Sequence, residues 1–374
     1  PYIDAVKIAC PQCGGQASRI ADVGNPWLDA GIVTFSTLGY RNDRAFWEKW
    51  FPADLISESF PGQFRNWFYS VLAMGTVLER RPPFLTNFSY ATLLGEDGRA
   101  MHKSWGNMLD FHDGAERIGV DVMRWMFLHH KPEQNLLFGF HRADETRRRF
   151  HIPLWNVYSF FVTYANLAPA WSVKRETWSA PPRDQSTHLP IYPSTSSDLL
   201  LDRWIVARLQ QLIELVTQRL TDYDSESATV ACEVFLDDLS NWYVRRNRRR
   251  FWEGDPAALD TLYYVLVTFA RLLAPMMPFV TETIYQNLVV EGGEGLSVLR
   301  RTDSPGHNAP VSVHHTGWPV ADPSLIDEQL LADMDLARAV VSLGHADRVA
   351  AEIKVRQPLA DIRVVAAGKA ESLA

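Results

Sequence analysis

The chain has 374 residues, 47% of them hydrophobic, and a formal net charge of −7. That length asks for two or three domains, the composition excludes a disordered chain, and the negative total argues against a general nucleic-acid coat. It does not exclude a local basic patch, which is what docking on phosphates requires. No apolar run approaches the ~18 residues of a membrane helix and no signal peptide is visible, so no membrane association is expected. Three cysteines with one Cys-x-x-Cys pair do not make a disulfide framework, and they point to a reducing, cytoplasmic setting. The first residue is Pro1 rather than Met and the text begins in mid-pattern, so the sequence reads as a fragment.

In chain order, residues 1–20 read as a strand–turn–strand knuckle on Cys10-Pro-Gln-Cys13-Gly-Gly15. Residues 22–40 read as a glycine-punctuated loop. Residues 41–82 look helical, with short loops around Pro52 and Pro61-Gly62, and Pro82-Pro83 ends that stretch. A strand is predicted near Thr86–Leu94, followed by the turn Gly95-Glu-Asp-Gly98 and a polar loop from Arg99 to Asn107. Alternating helix and strand with loops at strand ends fits an α/β domain.

After about residue 145 apolar residues recur at helical spacing. Helices are predicted over Leu154–Leu167, on the stripe from Leu201 to Leu220, on the stripe from Ala231 to Tyr243, and from Leu262 to Leu288 with a kink at Pro275 and Pro278. Four such helices make an all-α bundle. A linker rich in Pro, Ser and Thr separates the first from the second, over residues 169–197. Residues 291–327 are loop-rich, 328–350 read as a further helix, and Ile353–Val365 as a strand or two, giving a small α+β tail.

Four groups of residues could carry chemistry. Lys103 and Ser104, in the polar loop after the strand, offer a mobile positive charge and a hydroxyl of the kind that holds triphosphate, although Lys-Ser surface loops are common. Trp67 either walls an apolar pocket, with Gln63 bonding a polar substrate group, or packs a helix with Phe68. Cys10 and Cys13 are half of a tetrahedral zinc site, whose other two ligands are not evident. Arg245, Arg246, Arg248, Arg249 and Arg250 crowd one stretch between Trp242, Tyr243 and Trp252. A solvated cationic helix end is the plain reading, but forked guanidinium groups beside aromatic rings also suit phosphates and splayed bases.

Residues Asp237 to Trp252 resemble, nearly residue for residue, the anticodon-binding helix of isoleucyl-tRNA synthetases of the archaeal and eukaryotic style. Arg99–Asn107 resembles the signature loop of class I synthetases, usually Lys-Met-Ser-Lys-Ser and then Gly-Asn. Here Ala100 replaces the first lysine and His102 the first serine. Gln63-Phe-Arg-Asn-Trp67 is similar to the family's Asp-Gln-x-Arg-Gly-Trp, with Gly62 in place of Asp and Asn66 in place of Gly. Tyr90-Ala91 stands where many relatives have His-Gly, so Tyr90 either stacks on adenine or packs in the core. Leu154–Phe161 and Ile353–Leu359 also look like segments of this family, and the resemblance covers residues 1 to about 365.

The resemblance implies a Rossmann-like nucleotide-binding half followed by a helical anticodon-binding domain. Its divisions are a zinc-knuckle-like segment 1–20, the C-terminal half of a catalytic domain 21–148, an anticodon-binding domain 149–292 and a C-terminal extension 293–374. It implies ATP with Mg2+, isoleucine and its tRNA as partners, a cytoplasmic location, and a monomer at full length. Lys103, Ser104, Met101 and Tyr90 would hold ATP, Lys103 and Ser104 being the catalytic pair. Gln63, Trp67 and Glu58 would face the amino acid, Glu58 substituting for the missing Asp. Trp242 and the five arginines would meet tRNA. The other signature of the family, His-Ile-Gly-His, does not occur in the sequence, and no editing domain is recognised. Valyl or leucyl synthetases, and a non-catalytic tRNA-binding paralogue, are the alternatives.

Overall fold

The structure is a computed structural model. It describes residues 2–20, 24–168, 171, 197–290, 310–361 and 363–364. Most of the predicted Pro/Ser/Thr linker and half of the 291–327 excursion lie outside the described residues. The chain divides into two compact units, one of residues 1–93 with 132–136 and the other of residues 94–131 with 137–374.

The first unit opens with the predicted knuckle: β1 (Lys7–Ala9) pairs antiparallel with β2 (Gln16–Ser18). Residues 24–40 are not the expected loop. They form α1 (Pro26–Gly31) and α2 (Val33–Ser36). The signal was in Asn25-Pro26: the Asn25 side chain accepts from the Trp27 and Leu28 amides at 3.0 and 3.3 Å, and proline suits the first helical position. α3 (Arg44–Trp50) follows, with Asp43 as its N-cap.

The expected helical stretch 41–82 is interrupted by a strand, β3 (Ala53–Ser59), before α4 (Phe60–Gln63) and α5 (Trp67–Glu79). β3 hides from a sequence reading because only Ile56 of it is buried, so it shows no alternation. It exists by parallel pairing with β4 (Phe84–Tyr90), in the register Ala53↔Phe84 through Ser59↔Tyr90. The small core of this unit stacks Trp47 on Phe51, centroids 4.3 Å apart, with Phe35 against both. Arg44 lies over Trp47 and makes two 2.7 Å bonds to Glu79, fastening α3 to the end of α5.

β5 (Leu93–Gly95) pairs with β6 (Leu136–Phe138). The second unit continues with α6 (Phe111–Arg117), α7 (Val120–Leu128) and α8 (Phe140–Thr146), the last running through a wide π turn at Arg147–His151 into α9 (Ile152–Leu167). α10 (Leu200–Thr221) and α11 (Ser225–Asp237) come next. A second wide turn, Asp238–Val244, leads to α12 (Arg248–Trp252). α13 (Pro256–Leu273) and α14 (Pro278–Tyr285) are separated by the predicted proline break, and α15 (Glu328–Ala350) matches the helix expected there. One core joins these helices through Trp204, Leu209, Phe235, Tyr243, Leu262 and Phe269, all essentially inaccessible.

By length and composition alone α13 could cross a membrane, and most of it is buried in this core. One expectation fails here. Described residues of the 353–365 stretch form turns and bends, with no strand among them.

Candidate functional site

In the first unit, Glu58 and Tyr90 lie near the C-terminal ends of β3 and β4, offset by one in the register Glu58↔Ser89 and Ser59↔Tyr90, where open α/β sheets bind ligands. The Tyr90 hydroxyl donates to Glu58 Oε1 at 3.2 Å, and the Ser59 amide donates to the same oxygen at 2.8 Å. Burial, then the neighbouring carboxylate, raises the Tyr90 phenol above its ordinary value, so it stays a donor. Tyr90 is 41% exposed.

Gln63 caps α5: its Oε1 accepts from the Trp67 amide at 3.2 Å, while the Trp67 indole donates to the Ala30 carbonyl at 3.1 Å. That reach is short because Gly31 lets α1 lie on α5. A Cβ at Gly31 would sit 2.7 Å from Ser70. Both polar ends of Gln63 and Trp67 seen here are thus used within the fold. The apolar cavity on this helix, about 460 Å³, is lined instead by Phe60, Phe64, Phe68, Tyr69, Leu72 and Phe84, with Arg65 at its rim.

Cys10 and Cys13 sit on the knuckle, Cys13 exposed. The turn is closed by Gly14 N–H to Cys10 O and Cys10 N–H to Gly15 O, each 2.8 Å. Backbone amides of Gln12 and Cys13 hold the Cys10 thiol below its ordinary value, which suits a thiolate ligand. Among the described residues no group of three or more His, Cys, Asp or Glu side chains could hold a metal. By itself the knuckle is half a site, and it does not fit a complete structural zinc.

In the second unit the polar loop has a defined shape. The Asn107 side chain reaches back across it, accepting from the His102 amide and donating to the Ala100 carbonyl, both at 2.9 Å. Lys103–Trp105 forms a single 3₁₀ turn, ended by Gly106 at φ 69°. His102 stacks edge-on against Trp105 at 4.3 Å. Lys103 and Ser104 are exposed in this turn, and Met101 is half-buried. A preshaped loop presenting an ammonium and a hydroxyl is suited to polyphosphate. The clasp by Asn107 was not foreseen, although the Gly-Asn pair at 106–107 was its signal.

The five arginines divide. Arg245 and Arg248 are exposed and make no ion pair among the described residues. Arg246 lies 3.9 Å above the Trp242 ring, and Arg249 pairs with Glu253 at 2.7 Å on the surface. Arg250 departs from the expected role. It turns inward, making 2.7 and 2.8 Å bonds to the buried Asp202 and a 2.7 Å bond to Asp255. Asp202 also accepts from the Tyr243 hydroxyl at 2.9 Å. A buried carboxylate needs a paired cation, and Arg250 supplies it. A second buried acid, Asp238, is held by Arg208 at 2.9 Å and by Arg338.

Comparison with known proteins agrees with this layout. Residues 4–138 match the family "tRNA synthetases class I (I, L, M and V)", and residues 202–365 match "Anticodon-binding domain of tRNA ligase". Isoleucine--tRNA ligases from Streptomyces avermitilis and Thermus thermophilus are 38% and 39% identical to the chain, each over 98% of it and 33% of their own length. That of Clostridium novyi is 38% identical over 97% of the chain and 33% of its own length. The LeuRS of Agrobacterium radiobacter K84, solved with tRNA and LeuAMS, shares the fold at TM-score 0.56 and 18% identity, over 86% of this chain and 36% of that one. Residues 4–138 and 202–365 thus each resemble a part of the class I tRNA synthetases, and the chain spans about a third of the length of the isoleucine--tRNA ligases it matches.

Proposed function

We propose that the chain is the part of a cytoplasmic isoleucine--tRNA ligase that carries the signature loop and reads its tRNA. The observation that carries this is the exposed Arg245, Arg246 and Arg248 beside Trp242, within the residues matched as an anticodon-binding domain. Guanidinium groups free of carboxylates bind phosphates, and an indole already stacked on a guanidinium can take a base. The parallel β3–β4 pair belongs, in this reading, to a Rossmann-like nucleotide-binding sheet within residues 21–148. Helices α9 to α14 are the bundle of residues 149–292.

The reaction joins isoleucine to ATP as an adenylate and then to the tRNA terminus. Lys103 and Ser104 face the phosphates of ATP with its Mg2+, with Met101 behind them. Tyr90 lies toward adenine, and Glu58, Gln63 and Trp67 toward the amino acid. Catalysis here is positioning and charge stabilisation, so it needs the rest of the site that longer relatives contain. The full-length enzyme would act as a monomer.

A second reading, a tRNA-binding paralogue without catalysis, is favoured by one observation. The Tyr90 hydroxyl occupies Glu58, the carboxylate that would replace the missing Asp at Gly62.

Binding of an isoleucine tRNA transcript tests the shared core of both readings. Arg245→Ala with Arg248→Ala should weaken binding and lower the salt slope by about two, roughly one per lost phosphate contact. Equal affinity and slope would mean that the arginines are only a solvated face. Isoleucine-dependent ATP–pyrophosphate exchange by the longer enzyme then separates ligase from paralogue.

A further inference from the structure

The chain from the second wide turn into α12 has two faces. The Asn247 amide donates to the Tyr243 carbonyl at 3.1 Å and the Phe251 amide to the Asn247 carbonyl at 3.3 Å, so helical bonding continues from Asp238–Val244 into Arg248–Trp252. Tyr243, Asn247 and Phe251 stand four apart, share a side and are buried. Phe251 meets the Phe160 ring edge-on at 5.2 Å, and the Asn247 side chain donates to the Tyr243 carbonyl at 3.0 Å. That inner row fixes the outer one. Arg245, Arg248 and Trp252 follow the spacing i, i+3, i+7, and all three are exposed.

Trp252 is 62% exposed, although Phe251 beside it is sealed in the core. Among the described residues no ring or guanidinium lies on its indole. Trp242 differs: it is half-buried, with Arg246 at 3.9 Å and Arg338 at 5.5 Å from its ring. A lone exposed indole needs no explanation. This one shares its face with two cations that no carboxylate holds among the described residues. The acids next in sequence are already paired, Glu253 with Arg249 and Asp255 with Arg250, each at 2.7 Å. Phosphates suit the two guanidinium groups, and a splayed base suits the open ring. A duplex supplies only the phosphates, because its bases stack on one another. A single strand supplies both.

We infer that Trp252 stacks on an unpaired base of the bound RNA, with Arg245 and Arg248 holding phosphates of the same strand. This rests on the tRNA reading above and adds a second ring to it. From Arg245 to Trp252 the stripe runs about 10 Å along the helix. That is room for about three nucleotides at ~3.4 Å each. Stacking releases no counterions, so Trp252 contributes to affinity without contributing to the salt slope, whereas the arginines contribute to both.

The test is binding of an isoleucine tRNA transcript to the full chain across a salt series, with a closed duplex RNA as the second probe. Trp252→Ala should weaken transcript binding about tenfold, while the salt slope and the urea midpoint stay in place. Trp252→Phe keeps a ring and should recover most of the loss. Neither substitution should alter duplex binding. Unchanged transcript affinity in Trp252→Ala overturns the stacking and leaves the tRNA reading standing, and reduced self-association alongside it would give the ring to a second copy of the chain. An equal loss on transcript and duplex, or a fallen urea midpoint, makes Trp252 a packing residue and overturns the stacking too. A wild-type chain that binds no transcript sinks the stacking together with the reading beneath it.

Discussion

Asp202 and Arg250 face each other through two parallel bonds of 2.7 and 2.8 Å, the acid sealed under the start of α10 and the base drawn in from the arginine run. Removing one partner of such a pair strands a buried charge, which costs about 3–5 kcal/mol. Arg250→Met should therefore lower the urea midpoint strongly. In the chain that stays folded, the salt slope of tRNA binding should hold. Arg248→Met should do the reverse, lowering the slope and leaving the midpoint in place. Equal effects of the two substitutions would mean that Arg250 also meets tRNA.

The loop makes a two-part prediction in the longer enzyme. Lys103→Ala should slow isoleucine-dependent ATP–pyrophosphate exchange by about a hundredfold, the scale of one lost charge-stabilising group. Asn107→Ala should slow it as well, because the His102 amide and Ala100 carbonyl lose their common partner. An unchanged rate for Lys103→Ala removes that residue from the phosphate site.

Gly31 and Gly62 form a contrasting pair for stability. A Cβ at Gly31 meets Ser70 at 2.7 Å, whereas the nearest atom to one at Gly62 is the Ser59 hydroxyl at 3.9 Å. Gly31→Ala should separate α1 from α5 and cost about 1–3 kcal/mol, as overpacking does. Gly62→Ala should change stability by less than about 0.5 kcal/mol. Chemical denaturation of both variants checks the order.

His151 gives a pH dependence. Burial, the largest influence, pushes its imidazole from the ordinary 6.5 down to about 4. The folded chain keeps it neutral where the unfolded chain takes up a proton. Its contribution to stability therefore falls as pH drops from 6.5 towards 4 and levels off below. The total loss is about 3–4 kcal/mol. Subtracting the stability profile of His151→Asn from that of the wild type over this range should expose the slope. A flat difference would mean that the ring is protonated inside the fold.

Much of this molecule was legible from its text, and the gaps have physical causes. Long amphipathic helices announce themselves, so α10, α13 and α15 stood where their stripes and prolines put them. Strand β3 did not, because its evidence lies in pairing with β4 rather than in its own alternation. Short helices α1 and α2 were masked by glycines, although Asn25-Pro26 was a readable start. Among the site residues, motif spacing found Lys103 and Ser104 but could not show that Asn107 holds their loop. Nor could it sort the arginines, since whether Arg250 faces in or out is decided by Asp202, far away in sequence.

The β3–β4 pair has a practical corollary. Parallel strands are usually sandwiched deep between layers, yet Leu55 and Leu85 here are 44% and 69% exposed, with Phe64 and Tyr69 open nearby. Two strands that expose a leucine on each face are a template for more strands. A concentrated solution of this chain alone should grow cloudy and sticky, in a way that salt does not cure and mild detergent does. Light scattering against concentration would register it, and substituting Leu85 with Lys should clear the solution without touching the helical half.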